Sequence, residues 1–154
     1  MGVIATYYMD FWGRFLVKRK VIYALISPDI VGRWFLSMCK GKSVHRDIYK
    51  VPEFKNERRW GFISHYMIGV VLAGFYLLLD LKFPPVGDHI WVSVLYGLAT
   101  TVLPWLWLYP SIGLGFFASK SPDRWRLVKT SVVNHVNFGF GLFLWMLLFH
   151  WFFV

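Results

Sequence analysis

A chain of 154 residues that is 57% hydrophobic, 21% aromatic and only 16% charged, with a mean hydropathy of +0.50, has too little polar sequence to clothe a soluble core of its size. The formal charge of +9 does not point to nucleic acid, because the cations are segregated: eleven of the 17 Lys and Arg lie between Lys18 and Arg59, four more between Lys120 and Lys129, and the stretch from Asp80 to His89 holds Lys82 alone. Such a bias orients membrane proteins, so the expected partner is the lipid bilayer with its anionic headgroups, and no nucleic acid. A single cysteine, Cys39, excludes an internal disulfide and a cysteine metal knuckle.

In chain order, residues 1–17 form the first apolar segment, short of the ~20 residues a span wants, with Arg14 near its end suited to snorkelling. No basic stretch precedes it and no small-residue cleavage site follows, so it reads as a span rather than a secretory signal. The charges come after it, at Lys18-Arg19-Lys20, which sets its N-terminus outside. Ser27-Pro28-Asp29 is a helix start, with Ser as cap, Pro in the first turn and Asp on the helix dipole. The helix that follows, to about Met38, mixes Arg33 with Trp34, Phe35 and Leu36 and reads as interfacial. Residues 18–60 as a whole form a basic cytosolic connection, which ends where Arg58-Arg59-Trp60 gives way to apolar sequence.

Residues 61–81 are the second span, with Gly69 and Ala73 as a small-residue contact face. Residues 82–88 form a short rigid outer turn, and 89–108 the third span, with Gly97 and Thr101 on one face. Pro104 and Pro110 interrupt an apolar run that continues past Leu108, so residues 110–118 read either as interfacial or as part of a pocket wall. Ser121-Pro122-Asp123 repeats the helix-start pattern before the fourth span, 129–151. There Ser131, His135 and Gly139 recur every four residues, with Asn134 and Phe138 alongside, a stripe that should face other helices while Phe143, Trp145 and Phe149 suit lipid. His89 and His150 read as residues of the outer aromatic belt. The expected fold is one all-α, multi-pass domain over 1–154: four transmembrane helices in a bundle, an interfacial helix in the first cytosolic connection, and both termini outside the cytosol.

Polar groups inside the spans carry the functional signal, because each is costly in hydrocarbon. Counted from the cytosolic boundaries at about 1.5 Å per residue, Asp10, Arg14, His65, Asn134 and His135 reach a similar depth. Asp10 and Arg14 are four apart with the acid first, the favourable order for a helical ion pair. Together the five outline a cytosol-facing polar pocket, over which the loop residues Arg33, Trp34, His45 and Asp47 could fold. Metal-ligand spacing is absent, so no metal is assigned.

Met9-Asp10, Val31-Gly32-Arg33-Trp34, His45 with Asp47, Glu57-Arg58 through Gly61, and His65-Tyr66 occur in order. They are followed by Pro110 with Gly113 and Gly115, Ala118-Ser119-Lys120-Ser121-Pro122, and His135 with Gly139 and Gly141. This pattern resembles a family of small four-span bacterial inner-membrane proteins known as a domain of unknown function, and covers nearly the whole chain. The resemblance implies a four-helix membrane domain in a bacterial inner membrane and brings no activity. The chain departs from the pattern in its aromatic richness and in Asn134 and Asn137 around His135.

Three functions remain open. The pocket binds or transports a small polar molecule, an ion or a lipid headgroup; or its groups make contacts as an accessory subunit with other membrane-protein subunits; or His65 and His135 hold haem or a metal, or act as acid and base on a lipid, in an enzyme. The topology itself is testable. A cysteine placed at Lys55 should be labelled by an impermeant reagent only after cells are permeabilised, and labelling in intact cells would overturn the assignment.

Overall fold

Ser27 caps the helix that follows it: its backbone is extended, its Oγ accepts the Ile30 N–H at 3.5 Å, and Pro28 stands where no N–H is needed. The second Ser-Pro-Asp behaves differently. Ser121 Oγ accepts the Asp123 N–H at 3.2 Å, closing a turn, and the helix starts at Arg124, with Arg126 reaching back to the Asp123 carboxylate at 3.0 Å.

The computed structural model describes residues 1–83 and 89–153. Its helices are α1 (Gly2–Lys18), α2 (Pro28–Cys39), α3 (Glu57–Lys82), α4 (Ile90–Ala99), the short α5 (Tyr109–Ser111) and α6 (Arg124–Phe153), with no strand among the described residues. Residues 84–88 of the expected outer turn and the side chain of His150 lie outside the described residues.

Among the described residues three segments are long and apolar enough to cross a membrane: α3, the stretch Ile90–Ser111, and α6 as far as Phe149, with mean hydropathies of 1.9, 1.4 and 1.6. Only 22%, 22% and 28% of their apolar windows is buried inside the protein. So much apolar surface turned outward is untenable in water and marks a membrane protein. The first apolar segment is helical too, but at 17 residues it extends about 26 Å, a little less than the ~30 Å of a hydrocarbon core.

Ile90–Ser111 is not one regular helix. Pro104 has no N–H to give the carbonyl four residues back, and the winding changes there: α4 ends at Ala99, a π-helical turn runs over Pro104–Leu108, and α5 follows. The hydroxyls of Thr100 and Thr101 donate to the carbonyls of Gly97 and Leu98, both at 2.6 Å, satisfying acceptors at the end of α4.

The chain divides into two compact units: Met1–Ile22 with Ile68–Thr101 and Ser131–Val154, and Tyr23–Met67 with Val102–Thr130. In the first unit, helices meet through bare backbone. A methyl group at Gly69 would collide with Thr6, one at Gly97 with the His135 carbonyl, one at Gly139 with the Ser93 carbonyl, and one at Gly141 would lie 2.8 Å from Ala5 Cα. Polar bonds join α3 to α4: Tyr76 and Ser93 pair at 2.6 Å, and Tyr96 donates to the Leu72 carbonyl at 2.6 Å. Ala5, Met9, Ala73, Tyr76, Phe138, Leu142 and Met146 fill the space between. The predicted stripe on α6 is inward in Ser131, Phe138 and Gly139; Phe149 is exposed, and Trp145 is partly buried, with part of its surface packed on this core.

In the second unit, Ile30 and Trp34 of α2 pack with Ile48 and Ile112. Residues 110–118 support the loop after α2: Ser111 and Ile112 carbonyls accept the N–H groups of His45 at 2.7 Å and Ile48 at 3.1 Å. Gly113, at φ +96, leaves room for the Arg46 carbonyl against its α-carbon. At the unit's edge, the Thr130 hydroxyl accepts the Tyr23 N–H at 3.1 Å and donates to the Tyr23 carbonyl at 3.3 Å, with Arg126 over the Tyr23 ring at 4.7 Å.

A methyl group at Gly32 would run into the Glu57 carbonyl, and one at Gly61 into the Pro28 carbonyl, so α2 crosses the start of α3 at contact distance. Gly32→Ala should therefore destabilise the protein by about 1–3 kcal/mol through overpacking. Gly74→Ala, with nothing within 4 Å, should be neutral or stabilising by up to about 1 kcal/mol. Thermal unfolding of both variants in one detergent checks the contrast.

Candidate functional site

Close approach at Gly32 and Gly61 lets Arg33 reach Glu57. Arg33 shares the inner face of α2 with Ile30, Trp34 and Ser37, the helical spacing of a buried stripe. Its Nε donates to Glu57 Oε2 at 3.0 Å and its Nη2 to Oε1 at 2.7 Å, a two-pronged pair with both residues under a tenth exposed. Nη1 donates to the Val51 carbonyl at 3.1 Å, and the same Glu57 carboxylate accepts the Phe54 N–H at 3.1 Å. Hydrogen bonding to Glu57 raises the Arg33 pKa above its usual value. Trp34 donates through Nε1 to the Ser43 carbonyl at 3.1 Å and meets the Trp107 ring edge-on. Arg33 and Trp34 thus hold the loop in place, and Glu57 is the partner that the sequence reading left out of the site.

The loop so held presents His45 and Asp47. Asp47 Oδ1 accepts the Tyr49 N–H at 3.0 Å, starting a 3-10 turn over Ile48–Lys50, and its other oxygen lies 3.6 Å from Lys50 Nζ. His45 is only 4% exposed, yet neither ring nitrogen has a hydrogen-bond partner. A cavity of about 630 Å³ is lined by residues of this loop: Lys42, His45, Arg46, Asp47, Lys50 and Val51. His65, on α3 in the same unit, is half-buried with its ring edge-on to Tyr66.

In the first unit Asp10 is half-buried and Arg14 exposed, beside the packed α1 face of Gly2, Ala5, Thr6, Met9 and Gly13. An added methyl at Gly13 would sit 3.2 Å from Asn134 Oδ1, so α1 runs directly against the polar stripe of α6. Three enclosed atoms on that stripe have no hydrogen-bond partner: Ser131 Oγ, Asn134 Oδ1 and Asn137 Nδ2. His135 Nδ1 lies 2.7 Å from the Thr100 hydroxyl, whose one proton goes to the Gly97 carbonyl. His65 belongs to the second unit and His135 to the first.

Among the described residues no three His, Cys, Asp or Glu side chains come together as a metal site. The strongest polar contact is the Arg33–Glu57 pair, and its removal is informative. Arg33→Met should cost about 3–5 kcal/mol by leaving a buried carboxylate unpaired, whereas Arg33→Met with Glu57→Leu should recover much of that loss. Unfolding midpoints of the two single variants and the double variant measure the coupling.

Comparison with curated proteins and with solved structures gives no match. A family pattern, by contrast, matches residues 1–149. The chain belongs to the family described as "Protein of unknown function (DUF2938)".

Proposed function

We propose that the protein is a four-span protein of a bacterial inner membrane, with α1 as the fourth crossing in a four-helix bundle and both termini outside the cytosol, and that it binds a small polar molecule or ion at the stripe on α6. The positive charge bias supports the orientation, and the outward Val3, Ile4, Tyr7, Phe11 and Phe15 of α1 suit a lipid-facing helix. A short helix is accommodated by local thinning of the bilayer and by Arg14 snorkelling to the headgroups.

One observation carries the binding reading: Ser131, Asn134 and Asn137 hold three enclosed polar atoms without protein partners within two turns of one helix. Leaving such groups unsatisfied costs about 1–3 kcal/mol each. Antiparallel contacts of Ala5 with Gly141 and of Gly13 with Asn134 support a level for Asp10 near Asn137. Asp10 and Arg14 would then flank the occupant with charge.

The test is native mass spectrometry and thermal unfolding of protein purified in mild detergent. A small bound species is expected with the unaltered protein and lost in Asn134→Leu with Asn137→Leu. If the leucine variant keeps every bound species and only gains stability, the asparagines are structural and the binding reading is wrong.

A further inference from the structure

His45 is only 4% exposed, and both of its ring nitrogens are enclosed without a hydrogen-bond partner. The loop that carries it is nevertheless firmly closed. The His45 and Ile48 N–H groups bond to the Ser111 and Ile112 carbonyls, Ile48 is fully buried, and Trp34 holds the Ser43 carbonyl. Such a pocket accepts an imidazole that carries no charge, as it accepts an apolar ring.

A second proton changes this. An imidazolium has two N–H donors and a full charge, and it needs acceptors or water around it. The acceptors of the loop and of the segment beneath it are already committed. Ser111 and Ile112 carbonyls hold backbone N–H groups, the Ser43 carbonyl holds Trp34, and the Asp47 carboxylate is engaged by the Tyr49 N–H and by Lys50. On the loop itself the three exposed cations Lys42, Arg46 and Lys50 outnumber the one carboxylate of Asp47 in the cavity lining. The elements packed on the loop bring Arg33, paired with Glu57 and Glu53, and Lys40, which lies over the Phe54 ring. They also bring Tyr109, whose hydroxyl donates to the Leu127 carbonyl.

We propose that His45 is an acid-sensitive catch: the loop after α2 stays closed while the imidazole is neutral, and a proton on the ring releases it from Ser111 and Ile112. The sign follows from where the proton binds. It goes to the open loop, where the ring meets water, so acid favours opening and a rising pH favours closure. An imidazole in water titrates at about 6.5, and one proton per opening gives up to about a tenfold rise in the open fraction per pH unit below that. Opening uncovers Ile48 and the apolar face of Trp34 and Ile112 on which it packs. The catch is separate from the stripe on α6 and stands whether or not that stripe binds anything.

The experiment measures hydrogen exchange of the full chain in nanodiscs from about pH 7.5 to about pH 5, on either side of the imidazole range. Rates are expressed as protection relative to an unstructured peptide, which removes the intrinsic pH dependence of exchange. The amides of His45 and Ile48 report directly, because their acceptors are the Ser111 and Ile112 carbonyls. Their protection should fall up to about tenfold per pH unit on the acid side. That fall should vanish in His45→Phe, whose apolar ring needs no partner. Nitrogen NMR of the His45 ring adds a check that requires no substitution: the imidazolium signal should appear only as protection is lost. Protection that does not change with pH overturns the catch. So does a ring that becomes charged while both amides stay protected, or an acid-driven opening that persists in His45→Phe.

Discussion

The pairing of Arg33 with Glu57 is the interaction on which the second unit depends. It crosses from α2 to the first residue of α3, and from its two ends other bonds extend: Arg33 takes the Val51 carbonyl and Glu57 the Phe54 N–H. A carboxylate at the start of α3 is favoured by that helix's own dipole as well. Without the glycines at 32 and 61 the two backbones could not come close enough for the pair to form. Shape permits the ion pair, and the ion pair fixes the connection from Val51 to Glu57.

The first unit is held by other means. Lipid tails compete with apolar side chains, so helix contact in a membrane relies on close backbone approach and on hydrogen bonds. Gly69 against Thr6, Gly97 against Gly139, and the tyrosine bonds from α3 to α4 supply these. The three unpartnered atoms of α6 stand out against a surrounding in which Thr6, Thr100 and Thr101 all donate to carbonyls of their own helices.

What could be read in the sequence was local. Ser27-Pro28-Asp29 starts a helix because cap, proline and acid act within one turn, and the proline-broken run after Thr101 follows from a missing N–H. The small-residue faces at Gly69 and Gly97 were legible from spacing alone. Long-range pairing was not. Glu57 looked like a boundary charge, since nothing in the order of residues says that Arg33, 24 positions earlier, points inward to meet it. The spacing of Ile30, Arg33, Trp34 and Ser37 was the signal that could have shown an arginine on a buried face. Likewise His45 and Asp47 were visible as a loop pair, while the cavity they share with Lys42 and Lys50 was not. Ser121-Pro122-Asp123 misled by two residues because its serine closes a turn instead of capping.

The latch between Tyr23 and Thr130 has a consequence for how the protein is made. Its two halves are 107 residues apart, and at about 5–20 residues per second a ribosome needs roughly 5–20 s between them. Throughout that interval the segment after α1 has no Thr130 hydroxyl to hold its backbone and no Arg126 over its tyrosine. The segment that leaves α1 is therefore secured only once the start of α6 has been made, and the second unit closes between two stretches of chain synthesised well apart in time.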